Sequence, residues 1–295
     1  MNAQRKLAPR AGRSGTITDF VTATLLMFAH GLGSSAWAGS GTGAPSNANG
    51  SVGMNLIWVT DWESMMPFID TFKKARPWTA NSGTLDLDER GWVRSLLPGQ
   101  TATAAVMTPN PSGQQTLANK FPSGQYALTY VGTGAISLVG NAVTEVLAPH
   151  PGRVLVSLDF RQPDAGFSIR IDTTDPNDYV RDIRLYMPGG VCNHDPFHHA
   201  SSPDDCAPGA YEENEYVADE FLFYAPFLDN LKHYRVIRYL QRLGVNGSSV
   251  TTASEWRRLD AATWGGQLPV EGGAQPANRL QADVWLNIPP PAEGD

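Results

Sequence analysis

Cysteine is nearly absent from this chain, with 2 residues among 295, and charged residues make up only 17%. The net charge of −7 leaves no basic surplus. That excludes the electrostatic footprint of a nucleic-acid binder or of a protein held on an anionic membrane. No apolar run approaches the ~20 residues needed to span a bilayer. Several chemical signatures are missing as well: there is no Gly-x-Ser-x-Gly elbow, no Walker-type phosphate loop, no HExxH helix, and no GxGxxG turn between a strand and a helix.

What is present points to a globular, mainly β protein. Hydrophobic residues make up 41% of the chain, enough to bury one or two cores, and 29 glycines with 22 prolines suit many short strands and turns. At the N-terminus, Arg5, Lys6, Arg10 and Arg13 precede a short apolar stretch from Phe20 to Ala29. Ala36-Trp37-Ala38 then fits the small-x-small cleavage rule. Residues 1–38 therefore read as a signal peptide, residues 39–50 as a flexible Gly/Ser/Asn linker, and the mature protein as secreted or periplasmic. The two cysteines, Cys192 and Cys206, agree with an oxidising compartment, where they would close a short disulfide ring. The competing reading is a zinc site with His194, His198 and His199. The spacing lacks the tight Cys-x-x-Cys pair of such sites, so no metal is expected.

From residue 51 to residue 190 the chain reads as successive strands. GQYALTYVGTGAISLVG (124–140), RVLVSLDF (153–160), GFSIRID (166–172) and VRDIRLYM (180–187) are short, alternating and rich in β-branched or aromatic residues. This is the pattern of a β-sandwich, with Phe167, Ile169 and Ile171 on its inner face. Residues 191–214 form the loop closed by the cysteines. In 215–295, YRVIRYL (234–240), a helix over 270–281 containing Pro276, and ADVWLNIP (282–289) predict a parallel βαβ unit. The residues after it are too few to cover such a sheet on both faces.

GMNLIWVTDWESMMPFIDTFKKARPW (53–78) and LDLDERGWVRSLL (85–97) resemble the N-terminal region of secreted bacterial proteins of a cellulose-binding, glycoside-hydrolase-like family. The resemblance continues through DTTDPNDYVRDIRLYMPGG (172–190), FYAPFLDNLKHYRVIRYL (223–240) and NRLQADVWLNIP (278–289). It implies a carbohydrate-binding-type sandwich followed by a (β/α)8 barrel. Only the first βαβ part of that barrel is expected here, without the later strand that would carry the acid/base residue.

Sugar sites combine flat aromatic rings with groups that bond hydroxyls. Trp58, Trp62, Trp78 and Trp92, with Asp61, Lys73, Arg76, Asp86 and Asp88, form the best such cluster in the sequence. The bland alternative is that these tryptophans fill the core. Asp86 to Gly91 also resembles the start of a calcium loop, but Arg90 stands at the third ligand position and Leu97 where the closing Glu belongs. Barrel-type sites lie at the C-terminal ends of strands, which singles out Arg238, Asn287 and Trp256 with Arg257 or Arg258. The alternative for Arg238 is an internal ion pair. Glu63, Glu145, Glu255 and Glu271 show no local pairing of the kind glycoside cleavage needs, so no catalytic residue and no cofactor is assigned. The expected partner is cellulose or another β-glucan, ahead of a truncated hydrolase and an envelope adhesion protein.

Overall fold

The computed structural model describes residues 46–47, 50, 52–109, 120–239, 243, 245, 250 and 252–287. The expected signal peptide and its cleavage point lie outside them. In chain order the strands are β1 (Gly53–Asn55), β2 (Thr79–Ala80), β3 (Asp86–Leu87), β4 (Val93–Ser95), β5 (Ala102–Met107), β6 (Gly124–Val131), β7 (Gly134–Val139) and β8 (Val143–His150). There follow β9 (Arg153–Leu158), β10 (Phe167–Thr174), β11 (Arg181–Tyr186), β12 (Gly190–Cys192), β13 (His199–Ala200) and β14 (Tyr211–Glu213). The last part holds helices α1 (Asn214–Val217) and α2 (Ala225–Leu231), strand β15 (Val236–Arg238), helix α3 (Val270–Leu280) and strand β16 (Asp283–Trp285). The protein is mainly β, and among the described residues no helix is long and apolar enough to cross a membrane.

Two antiparallel sheets of four strands, ordered β2-β5-β10-β7 and β11-β6-β9-β8, feed one core. The alternation read in GFSIRID holds in β10, where Phe167, Ile169 and Ile171 are buried between half-buried neighbours. They meet Ala104 and Val106 of β5, Tyr126 and Leu128 of β6, and Val156 of β9 in a single apolar cluster. Burying each of the larger of these side chains contributes about 1.5–3 kcal/mol.

A second core surrounds a parallel sheet ordered β1-β15-β16, with α3 connecting its last two strands. The βαβ unit read near the C-terminus is therefore present as strand, helix and parallel strand. Among the described residues the sheet remains open and no barrel closes. The sequence counts β1 with the strands of 51–190, but β1 pairs with β15, and Leu56, Val59 and Phe68 pack with Phe227, Ile237, Tyr239 and Trp264 in the second core. The large antiparallel body is thus inserted between the first and second strands of the parallel sheet.

The two chain crossings at the base of this insertion lie side by side. Phe68 and Phe223 form an antiparallel bridge, flanked by hydrogen bonds from Tyr224 N to Pro67 O (2.9 Å) and from Ile69 N to Leu222 O (3.1 Å). The Phe68 ring lies 5.8 Å from that of Phe223 and meets Trp264 edge-on at 5.1 Å. Just beyond the crossing, the buried Asp70 carboxylate accepts Phe72 N (3.1 Å) and Leu185 N (2.9 Å), capping a 3₁₀ turn and tying it to β11. The nominal linker is also held. Asn47 is buried and donates to Tyr234 O (2.9 Å) and Leu280 O (2.8 Å), because its amide satisfies carbonyls at the ends of two elements of the parallel unit.

Cys192 and Cys206 are joined in a disulfide. A ring of 14 positions restricts the unfolded chain, an effect of about 3 kcal/mol. Its sulfurs, bonded to each other, are not thiolate ligands. Within the ring, His194 bridges Glu212 (Nδ1, 2.8 Å) and Glu220 (Nε2, 2.9 Å). Hydrogen bonds to the two carboxylates, Glu212 foremost, raise its pKa, with Arg279 the nearby cation over the adjoining Phe221 ring.

Two outcomes are expected. Asp70→Ala leaves two buried backbone N–H groups without acceptors and lowers the unfolding free energy in urea by about 2 kcal/mol. A neutral imidazole can donate to only one of its two carboxylates, so the His194 contribution is fully present below the unfolded pKa and fades as pH rises through the raised folded value. The melting temperature therefore falls as pH rises above the ordinary histidine value of about 6.5, and His194→Gln flattens that dependence.

Candidate functional site

The parallel sheet places one residue from each strand in a row at its C-terminal edge. Asn55 of β1 pairs in register with Arg238 of β15, and Arg238 with Trp285 of β16. Chain continues past the row on hydrogen bonds from Leu56 N to Arg238 O (2.9 Å) and from Tyr239 N to Trp285 O (3.0 Å). The Arg238 guanidinium lies 4.9 Å from the centre of the Trp285 indole, and its Nε donates to Asn287 Oδ1 at 3.2 Å. Trp285 is nevertheless 56% exposed. One face of the ring is held by the cation while much of the side chain is open to solvent. Among the described residues Arg238 makes no ion pair with an acid side chain.

The loop that leaves β1 carries three more of the expected residues, and a fourth, Arg76, reaches it from beyond the 3₁₀ turn. Trp58 is half-buried, and the neighbouring Val59 carbonyl accepts Gly266 N (2.8 Å), which anchors the loop. Asp61 is fully buried. Its Oδ1 accepts Arg76 Nε at 2.7 Å, and its Oδ2 accepts the Thr108 hydroxyl. Arg76 in turn lies 5.2 Å from the centre of the half-buried Trp62 ring. Asp61 thus orients a guanidinium that steadies an indole, the same pairing that Asn287 and Arg238 make with Trp285.

The remaining expected residues are elsewhere. Trp78 and Trp92 are core residues, 7% and 3% exposed, packed on Phe72 at 5.8 and 5.9 Å, so neither offers a face to a ligand. Their burial follows from their position beside the 3₁₀ turn that Asp70 ties down. Lys73 donates to Ala261 O (2.8 Å) above the Trp264 ring, and burial lowers its pKa. Asp86 pairs with Arg94 (2.7 Å) and Ser95 (2.8 Å), whereas Asp88 accepts Arg90 N, Trp92 N and the Tyr179 hydroxyl. Both carboxylates shape the β3–β4 hairpin, as the strand-and-turn reading of this segment requires. Trp256 is half-buried against Leu268, and Arg258 pairs with Asp260 through two hydrogen bonds of 2.9 and 3.0 Å. Among the described residues no three His, Cys, Asp or Glu side chains group as metal ligands.

Asn55 and Trp285 belong to the row although the sequence singles out neither. Asn55 emerges only once β1 is known to pair with β15. For Trp285 a signal exists, since it precedes Asn287 by two positions on a strand and so shares its face. No family model, curated protein or solved structure matches this chain.

The burial difference sorts the tryptophans by measurement. Trp92→Ala is expected to cost about 3–5 kcal/mol in urea unfolding. Trp62→Ala and Trp285→Ala each change it by less than about 1 kcal/mol.

Proposed function

We propose that this chain is an exported polysaccharide-binding protein, with cellulose or a related β-glucan as its ligand and without catalysis of its own. The observation that carries this reading is the exposed Trp285 ring, braced by Arg238 and Asn287 at the C-terminal edge of a parallel sheet. A pyranose presents apolar C–H faces ringed by hydroxyls. An indole stacks on the first, while guanidinium and amide groups bond the second. Trp62 with Arg76 repeats the combination on the loop after β1, which suits a ligand made of repeating rings. C-terminal strand ends are where parallel α/β units generally bind ligands.

Export is supported by the Cys192–Cys206 disulfide together with the basic, apolar and small-residue order of the first 38 residues. In this reading the two four-stranded sheets are a sandwich of carbohydrate-binding type, and the parallel sheet is the opening of a barrel-type unit, as the family resemblance implies.

The test is retention on insoluble cellulose, with a panel of other β-glucans beside it. The wild type is retained. Trp285→Ala and Trp62→Ala, folded by circular dichroism, each lose about tenfold in affinity, the size expected for one lost stacking contact. A wild type that passes through every matrix refutes polysaccharide binding.

A further inference from the structure

A cavity lies away from the strand-end row, between the β6–β11 face and the disulfide loop. It has a volume of about 360 Å³. Its wall is built by Gln125 of β6, Tyr186 of β11, Tyr211 and Glu213 of β14, Asn214 of α1 and Tyr224, the residue that precedes α2. The geometry points to a second binding site here, for a neutral sugar of one or two rings.

Charge narrows the ligand first. The lining holds Glu213 and Glu215 and not one lysine or arginine, which disfavours an anion. Glu215 is already neutralised by Arg153, which reaches it through hydrogen bonds of 2.8 and 2.7 Å from outside the wall. What remains is one free carboxylate, on Glu213, which favours a donor-bearing ligand without demanding a cation.

The uncommitted polar groups narrow it further. Among the described residues the Gln125 amide, the Tyr211 hydroxyl and the Glu213 carboxylate make no side-chain hydrogen bond, and Gln125 and Glu213 are exposed. Together they offer both donors and acceptors, the mixture that hydroxyl groups complement. Deeper in the wall, Asn214 spends its amide hydrogens on Met187 O and Pro188 O, each at 3.1 Å, and its buried Oδ1 is left without a donor. Tyr186 and Tyr224, each 6% exposed, belong to the wall and offer no stacking face, with the Tyr224 hydroxyl 3.5 Å from His199 Nε2. The volume is at the small end for ligand pockets and admits a chain end or a disaccharide, not the flank of a fibre.

Isothermal titration of the purified protein with glucose, cellobiose and, as a cationic control, choline tests the site. Cellobiose is expected to bind saturably. Gln125→Ala, an exposed side chain with no internal partner, and Glu213→Gln each weaken it about tenfold, the effect of one lost hydrogen bond to the ligand. The two cavity variants are retained on cellulose as the wild type is, which separates this site from the cellulose-retaining surface. The assignment is overturned if the wild type binds neither sugar, if the two cavity variants bind cellobiose as the wild type does, if they lose retention on cellulose, or if choline binds more tightly than either sugar.

Discussion

Where Phe68 and Phe223 pair, two passages of chain far apart in sequence run side by side in opposite directions, and much of the molecule hangs on that crossing. On one side Leu56, Val59 and the Phe227 helix build the core under the parallel sheet. On the other, from Ile69 to Phe221, the chain makes two four-stranded sheets around a core of its own. The crossing is reinforced by backbone bonds to Pro67 and Leu222 and by the edge-on contact of Phe68 with Trp264. Asp70, one step further along, joins the start of the inserted body to its last long strand through Leu185. The strand-end row exists because this arrangement returns the chain to within reach of β1, so that Asn55, Arg238 and Trp285 fall in register.

The same aromatic residue type serves opposite ends in the two halves. Trp78 and Trp92 close around Phe72, where a large ring supplies buried area and packing. Trp62 and Trp285 stay partly in solvent, each with a guanidinium laid over the ring. A cation held in this way limits the ring's rotamers before a ligand arrives, and a ring ordered in advance loses less entropy when it is covered.

Much of the β character was legible in the sequence because strands in a half-buried sheet alternate visibly, as GFSIRID does in β10. The parallel unit near the C-terminus was legible from its strand, helix and strand order. The role of β1 was not. Three residues, Gly53–Asn55, carry too little pattern to declare a partner, and their partner lies beyond the whole inserted body. The tryptophan cluster was misleading for a related reason. Nearness in sequence placed Trp78 and Trp92 with Trp58 and Trp62, but Asp70 turns the chain between them and sends the later pair into a different core. The cavity beside the disulfide loop draws its wall from segments between Pro122 and Tyr224, and no local spacing could have announced it.

The insertion also fixes an order of assembly. β1 leaves the ribosome before the whole inserted body, and its partner β15 after it. A direct closure across that span carries the entropy of a very long loop, which falls once the intervening body has condensed and brought its two ends together. The antiparallel body can form from neighbouring strands while β1 waits, with Leu56 and Val59 uncovered in the interval. The half of the molecule that presents the exposed tryptophan is therefore the half that closes last.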